Sequence, residues 1–558
     1  MAPIIRTCSV AALALGLMTT DALAARPVAR SDLQQYATAR LAESGGEAAI
    51  AATAYAALMH KSPGNSDIAF RTYREAVEAG NRALALSAAR TLADQNIAPV
   101  DARMLLFIDL VGRRDWAAAN QQIDMLEPKK GLGFLVPVLR AWSDIGAGVA
   151  NPLSSLDAIG ADNLVAPYAR EQRVLMQLFL KQKTEAIAAL DGVATSDARG
   201  YALRIAAAAQ LVSLNDKAAA VAVLTPGDGA VRRARSAIER GQTLPGAVNT
   251  PSLGAARLMA RVATDLLRDR AAPAALMLAR LAVFAAPGDE LVALTLAQAQ
   301  FANDDTVATL ATLDTIGGAT VYVSAVRELR IEALQQENQN AAALLLAQAG
   351  AAMPDASVTD KVLLGQSLSR LGRNAEAAAV YAALIKQLDD APAISGVTTG
   401  APWTLWLLYG GVLDADRNWT AAKPALERAV TLGGDKPTAL NHLGYAMLEN
   451  GGDIDVATRL IAKASALRPD DAAITDSLGW AFFKRGDTAQ AITILERAVA
   501  GDPTISETAE HLGDAYWAAG RRIDARYTWR AALIQAGDDG ATKRLQAKIA
   551  DGPVMRAP

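Results

Sequence analysis

Cysteine is almost missing from this chain. The single one, Cys8, stands near the start, and histidine appears only three times in 558 residues. A chain without further cysteine has no disulfide framework, no thiol nucleophile and no Cys-based zinc or iron–sulfur site. Charge of one sign is missing too: 55 basic against 58 acidic side chains give a net charge of −3. A nucleic-acid binder is expected to carry a basic stripe. The nearest approach to one, Arg232-Arg233-Ala-Arg235, reads as a solvated helix face. No run past the N-terminus reaches the roughly 20 uncharged apolar residues that span a bilayer. Alternating apolar and polar runs, the mark of strands, are rare. Phosphate chemistry needs a Gly-rich loop with a following Lys-Ser/Thr, and none is present. The acid pairs Asp304-Asp305, Asp389-Asp390 and Asp470-Asp471 are adjacent in turns, and adjacency does not make a general acid and base. No catalytic residue, metal ligand or cofactor is therefore assigned.

What is present is a period. Tyr409-Gly410, Leu443-Gly444, Leu478-Gly479 and Leu512-Gly513 stand 34 or 35 residues apart. After Gly479 come Phe482, Ala491, Leu495, Ala498 and Pro503, and Tyr516, Ala525, Trp529 and Ala532 repeat the pattern after Gly513. Leu413, Ala422, Leu426 and Ala429 follow Gly410; Ala457, Ile461, Ala464 and Pro469 follow Gly444 one residue later. Two antiparallel helices of about a dozen residues plus two turns account for such a period. A glycine inside a helix costs about 1 kcal/mol against alanine, so Gly365, Gly410, Gly444, Gly479 and Gly513 call for close helix–helix approach. Ala491 and Ala498 serve the same packing in the second helix. Pro469 and Pro503 end second helices, and Gly486 and Gly520 supply left-handed helix exits.

On these residues the chain resembles the tetratricopeptide-repeat (TPR) family. The resemblance is specific over 402–536 and extends in weaker register to Leu364-Gly365, to Ala263 with Ala275, Ala279 and Ala282, and to Ala39 with Ala51, Tyr55 and Leu58. Between about 100 and 250 the register is lost, and only helical hairpins are expected. The resemblance implies an all-α, TPR-type helix-turn-helix solenoid, a right-handed superhelix of antiparallel helix pairs. It also implies a binding groove lined by first helices. In this sequence those positions are Asn441, Tyr445 and Leu448; Asp476, Trp480 and Phe483, with Lys484; and Glu510, Asp514 and Trp517. Aromatics beside carboxylates suit a partner segment, because Trp and Tyr bury much area at little entropic cost. Trp529 and Trp406 are expected in the packing instead. The family's clamp for terminal carboxylates lacks its Lys, Asn and Arg set here. His442 and His511 hold one repeat position two repeats apart, too far to share a metal, and are read as packing or surface residues.

The N-terminus has Arg6, an apolar Val10–Met18 and the small-x-small Ala22-Leu23-Ala24, which predicts a signal peptide over 1–24 cleaved near Ala24-Ala25 and a periplasmic chain. An uncleaved amphipathic start is the alternative. The Pro/Gly-rich stretch 225–252 divides an irregular array, 25–240, from a TPR array, 252–540. A capping helix with a polar outer face (Lys543, Arg544, Gln546, Lys548) and a frayed tail fill 541–558. The expected function is a non-enzymatic protein-binding scaffold of the bacterial envelope, with a protein or peptide partner and no nucleic acid. A self-associating structural protein and a glycan-binding accessory are the alternatives.

Overall fold

The computed structural model describes residues 31–126, 131–193, 197–224, 229–318, 320–390, 402–537 and 539–553. The signal-peptide expectation and all but the ends of the 389–402 insertion lie outside them. Among the described residues there are α-helices, one 3₁₀ turn and no strand. The chain forms two compact units, up to Leu106 and from Phe107 onward.

The first unit packs Asp32–Ser44 on Ala48–Lys61 and Ser66–Glu78 on Arg82–Asp94. Ala39, Ala51, Tyr55 and Leu58, the residues read in repeat register, are buried together. Asn65 and Asn81 cap the second pair, each accepting from a backbone N–H at 3.1 Å. The Tyr55 hydroxyl donates to Glu43 at 2.6 Å, and Arg71 and Arg74 close on the same carboxylate. Burial alone would raise its pKa; these donors hold it down at about 2.

The second unit is a run of helix pairs whose regularity lies in the turns. Left-handed residues occur at Arg114, Gly148, Lys181 and Asn215, then at Arg270, Asp304, Asn338 and Gly372, then at Arg417, Gly451, Gly486 and Gly520. Within each set they stand 33 to 35 residues apart. At each one the following N–H reaches back to the carbonyl five residues earlier, as in Asp115 to Leu110 (3.0 Å), Asp216 to Leu211 (2.9 Å) and Asp487 to Phe482 (2.9 Å). That is the Schellman helix end, with its left-handed residue and its long-range closing bond. Asp115, Asp216, Asp305, Asn418 and Asp487 then cap the next helix with their side chains. The period therefore continues to Asn215, through the stretch where the glycine ladder gives no register. Helices on either side of the 225–252 stretch touch. Tyr168 donates to Asp265 at 2.8 Å, and Arg261 meets Glu171 at 2.9 Å.

The ladder glycines sit where close approach demands them. A methyl on Gly479 would lie 2.6 Å from Leu495 Cγ, and one on Gly444 2.6 Å from Ile461 Cγ1. Gly410 faces Leu426, Gly365 faces Tyr381 and Gly513 faces the indole of Trp529. Each glycine thus receives the large residue of its own second helix. Ala491, Ala498 and Trp529 are fully buried, while Trp406 is half-buried against its cluster.

Candidate functional site

The first helices of three successive C-terminal repeats, Pro437–Glu449, Ala472–Lys484 and Ser506–Ala518, carry the residues expected to line a groove. The structure joins many of them in one stack. Trp480, only 8% exposed, lies face to face with His511 at 4.0 Å between ring centres and with Phe483 at 5.0 Å. Its indole N–H donates to Glu449 at 2.7 Å. The Lys484 ammonium stands 4.9 Å from the ring centre and 3.4 Å from Glu449. His511 Nδ1 meets both oxygens of buried Asp476, at 3.0 and 3.1 Å. The Tyr445 hydroxyl reaches past it to Glu507 at 2.5 Å.

The charges follow from burial and these contacts. Burial would lower the His511 pKa, but the Asp476 hydrogen bond and the Asp476, Glu507 and Asp514 carboxylates raise it. His442, buried with only Asp414 to favour its charged form, is lowered. Tyr445 is pushed well up by burial and by Glu507. Among the described residues no group of His, Cys, Asp and Glu is arranged to hold a metal ion.

Several expectations need correction. Trp480 and Asp476 do not present themselves to solvent; they are the buried floor of the face, because Trp480 fills the gap between neighbouring first helices. His511, read as a packing or surface residue, is a packed member of that floor. Its signal in the sequence was its offset of 35 residues from Asp476, one repeat along. Glu510 and Asp514 do not form an open acidic rim, since the helix Asp539–Asp551 covers them. Lys548 reaches Glu510 at 2.6 Å and Asp514 at 2.7 Å, and Arg544 meets Glu510 at 2.8 Å. Burial works to raise both carboxyls; Arg544 and Lys548 overcome it at Glu510, which is lowered, whereas at Asp514 Lys548 and His511 do not, and it stays raised. Lys548, read as part of an outer face, thus turns inward, whereas Arg544 stays exposed and pairs with Glu510 from the solvent side. Trp517 is half-buried between Trp529 and the guanidiniums of Arg522 and Arg526, with Gly552 tucked against its ring. Gly552 is buried there, and residues 554–558 of the expected frayed tail lie outside the described residues. Tyr445, Phe483 and Lys484 keep accessible surface, joined by Glu449 and Glu507. Asn441 is partly buried and donates to Ser477 at 3.2 Å.

A family model described as tetratricopeptide repeat matches residues 477–504, the span from the residue before Leu478-Gly479 past Pro503. The chain is a tetratricopeptide-repeat protein. A TPR repeat-containing protein of Pseudomonas aeruginosa is 41% identical over 80 residues, 14% of this chain and 13% of that one. Lipopolysaccharide assembly protein B of Escherichia coli is 28% identical over 199 residues, 34% of this chain. The chain thus spans about half (48%) of that curated relative's length and far less of the first. The crystal structure of the APC/C hetero-tetramer Cut9–Hcn1 aligns over 93% of this chain and 89% of that one, at 16% identity and a TM-score of 0.38, too distant to carry features across. Among the described residues no helix is long and apolar enough to cross a membrane.

Proposed function

We propose that this TPR protein is a non-enzymatic scaffold of the bacterial cell envelope that holds a partner's segment on the first-helix face of its C-terminal repeats. One observation carries the placement. The Gly513 face is covered by the chain's own last helix, whereas the Gly444 and Gly479 faces keep Tyr445, Phe483, Lys484, Glu449 and Glu507 accessible over a rigid aromatic floor. A rigid floor favours binding, because fewer side chains lose freedom when a partner docks. The mixed charge suits a segment with both apolar and polar residues. The envelope reading is supported by the secretory pattern of the first 24 residues and by the likeness to a lipopolysaccharide assembly protein.

The test is in-cell photo-crosslinking from Tyr445 and Lys484, with mass spectrometry of the adducts and N-terminal sequencing of the recovered chain. The expected result is one recurrent envelope protein and a mature start near Ala25. Adducts scattered over cytosolic proteins, or an intact Met1, would refute it.

A further inference from the structure

A second candidate site of the second unit lies away from the C-terminal repeats. It is a cavity of about 390 Å³ between the helices Ala166–Phe179, Ala198–Ser213, Gly229–Glu239, Pro251–Arg268, Glu290–Phe301 and Val323–Gln336. That volume falls within the roughly 300–1,000 Å³ of sites that enclose small ligands. Much of the wall is aliphatic, with Leu175, Ile205, Leu291 and Leu294 among its residues.

Four guanidiniums also line it, and each already has a carboxylate. Arg199 meets Asp197 at 2.7 Å, Arg233 meets Asp355 at 3.2 Å, Arg257 meets Asp289 at 2.7 Å and Arg261 meets Glu171 at 2.9 Å. Arg233, expected on a solvated face, thus points into the fold, where it also donates to the Val321 carbonyl at 3.0 Å. An anionic ligand would have to displace these carboxylates. The lining carboxylate without a counter-charge is Glu328: no hydrogen bond or ion pair joins it to another described residue. Its nearest acids are Glu332, one turn along, and Asp360, which is itself paired with Arg327 at 2.6 Å. Burial and these neighbours push the Glu328 carboxyl up to about 7. Glu328 is half-buried, and a carboxylate partly withdrawn from water without a donor is relieved by a cation that brings hydrogen bonds with it.

We propose that this cavity receives a primary ammonium group on an aliphatic stem, with Glu328 as its carboxylate partner and the aliphatic wall enclosing the stem. A lysine side chain of an extended partner segment and a free polyamine both have that chemistry. The site is separate from the C-terminal face, so failure of either assignment leaves the other standing.

The test uses the purified full chain with Leu-Lys-Leu-amide carrying fluorescein on its N-terminal nitrogen and its norleucine counterpart, both read by anisotropy, and with spermidine, read by calorimetry. The lysine peptide or spermidine should bind, the first assigning a side chain and the second a free amine. Glu328→Gln should weaken that binding by about tenfold, the worth of one charge-assisted hydrogen bond, without lowering the hydrogen-exchange protection of the helix Val323–Gln336. Ala202→Phe, which fills the cavity from its wall, should abolish it. Binding of the norleucine peptide as tight as that of the lysine peptide, an unaltered affinity in Glu328→Gln, or no binding of any probe up to about 1 mM would overturn the proposal.

Discussion

The contact between Gly479 and Leu495 makes a sharp prediction about what the ladder glycines do. A Cβ on Gly479 would lie 2.6 Å from Leu495 Cγ, 2.8 Å from Cδ2 and 3.3 Å from its backbone nitrogen. Carbon atoms settle at about 3.5–4.0 Å, so the helices must part by close to an ångström or Leu495 must leave its rotamer. Overpacking of this kind costs about 1–3 kcal/mol. The better helix propensity of alanine returns about 1 kcal/mol. Gly479→Ala should therefore destabilise the repeat by about 0–2 kcal/mol. Leu495 is fully buried, and Leu495→Ala should cost about 2–5 kcal/mol through lost transfer energy and a cavity.

In the double variant the clashing carbons are gone, the propensity gain remains, and the new methyl fills part of the space. The pair should be about 1 kcal/mol more stable than Leu495→Ala alone, a coupling of about 1–3 kcal/mol in the cycle. A long repeat array does not melt in one step. The readout is therefore hydrogen exchange of the helices Ala472–Lys484 and Thr488–Gly501, which reports local opening free energy. Additivity within about 0.5 kcal/mol would refute close approach as the reason for the glycine.

The stack around Trp480 gives a second outcome: Trp480→Phe loses the 2.7 Å bond to Glu449 but keeps the ring, and should cost about 0.5–1.5 kcal/mol, against about 3–5 kcal/mol for Trp480→Ala, both read by exchange of the same helices. The histidines give a pH dependence of known sign. His511 has a raised folded pKa, so its contribution is full below the unfolded value of about 6.5 and is lost as pH rises through the folded value; His511→Gln should remove that loss, seen in the local opening free energies of Ser506–Ala518 from hydrogen exchange taken from pH 5 to about 9. His442 has a lowered pKa and opposes the trend, costing stability as pH falls through about 6.5. Lys548→Met leaves two little-exposed carboxylates, Glu510 and Asp514, without their shared ammonium; loss of one partner of a buried pair costs about 3–5 kcal/mol, and the helix Asp539–Asp551 should lose exchange protection while Ala472–Lys484 does not.

The fold class and the repeats from 402 to 536 were legible in the sequence because glycine is conspicuous in a helix and its partner sixteen or seventeen residues on is large. Upstream that signal fades. A helix pair that packs through alanine, as at Ala263, or through another geometry, as where Gly254 receives Trp142, leaves no fixed mark at the glycine position. The turns carry the mark instead, and it is hard to see because the left-handed residue is often not glycine: Arg114, Lys181, Asn215, Arg270, Asp304, Asn338 and Arg417 all hold it. The site was legible only in part. Repeat offsets located Asp476, Trp480 and Glu510 on the first helices, but burial there depends on the next repeat and, for Glu510 and Asp514, on a helix some 30 residues away. Glu328 has no motif at all. It stands out only when the cations around it are seen to be already paired.

A left-handed backbone costs an L-residue about 1–2 kcal/mol, and seven such residues in the second unit's repeat turns would be a heavy burden if nothing repaid it. Each turn closes the same backbone bond to the carbonyl five residues back, and several add a side-chain cap to the next helix. Those bonds use backbone atoms, which every sequence supplies, and a capping Asp or Asn. The period can thus be kept by the turns while the first-helix faces change freely. One consequence is visible in this chain. Where glycine, alanine and large apolar residues recur, the faces are occupied by the repeat's own packing, as at Trp480. Where the glycine ladder fails and the turn spacing itself breaks, between Asn215 and Arg270, helices from both sides of the break enclose a cavity with an unpaired carboxylate. The irregularity that hides the repeat from sequence comparison is the feature that leaves room for a ligand.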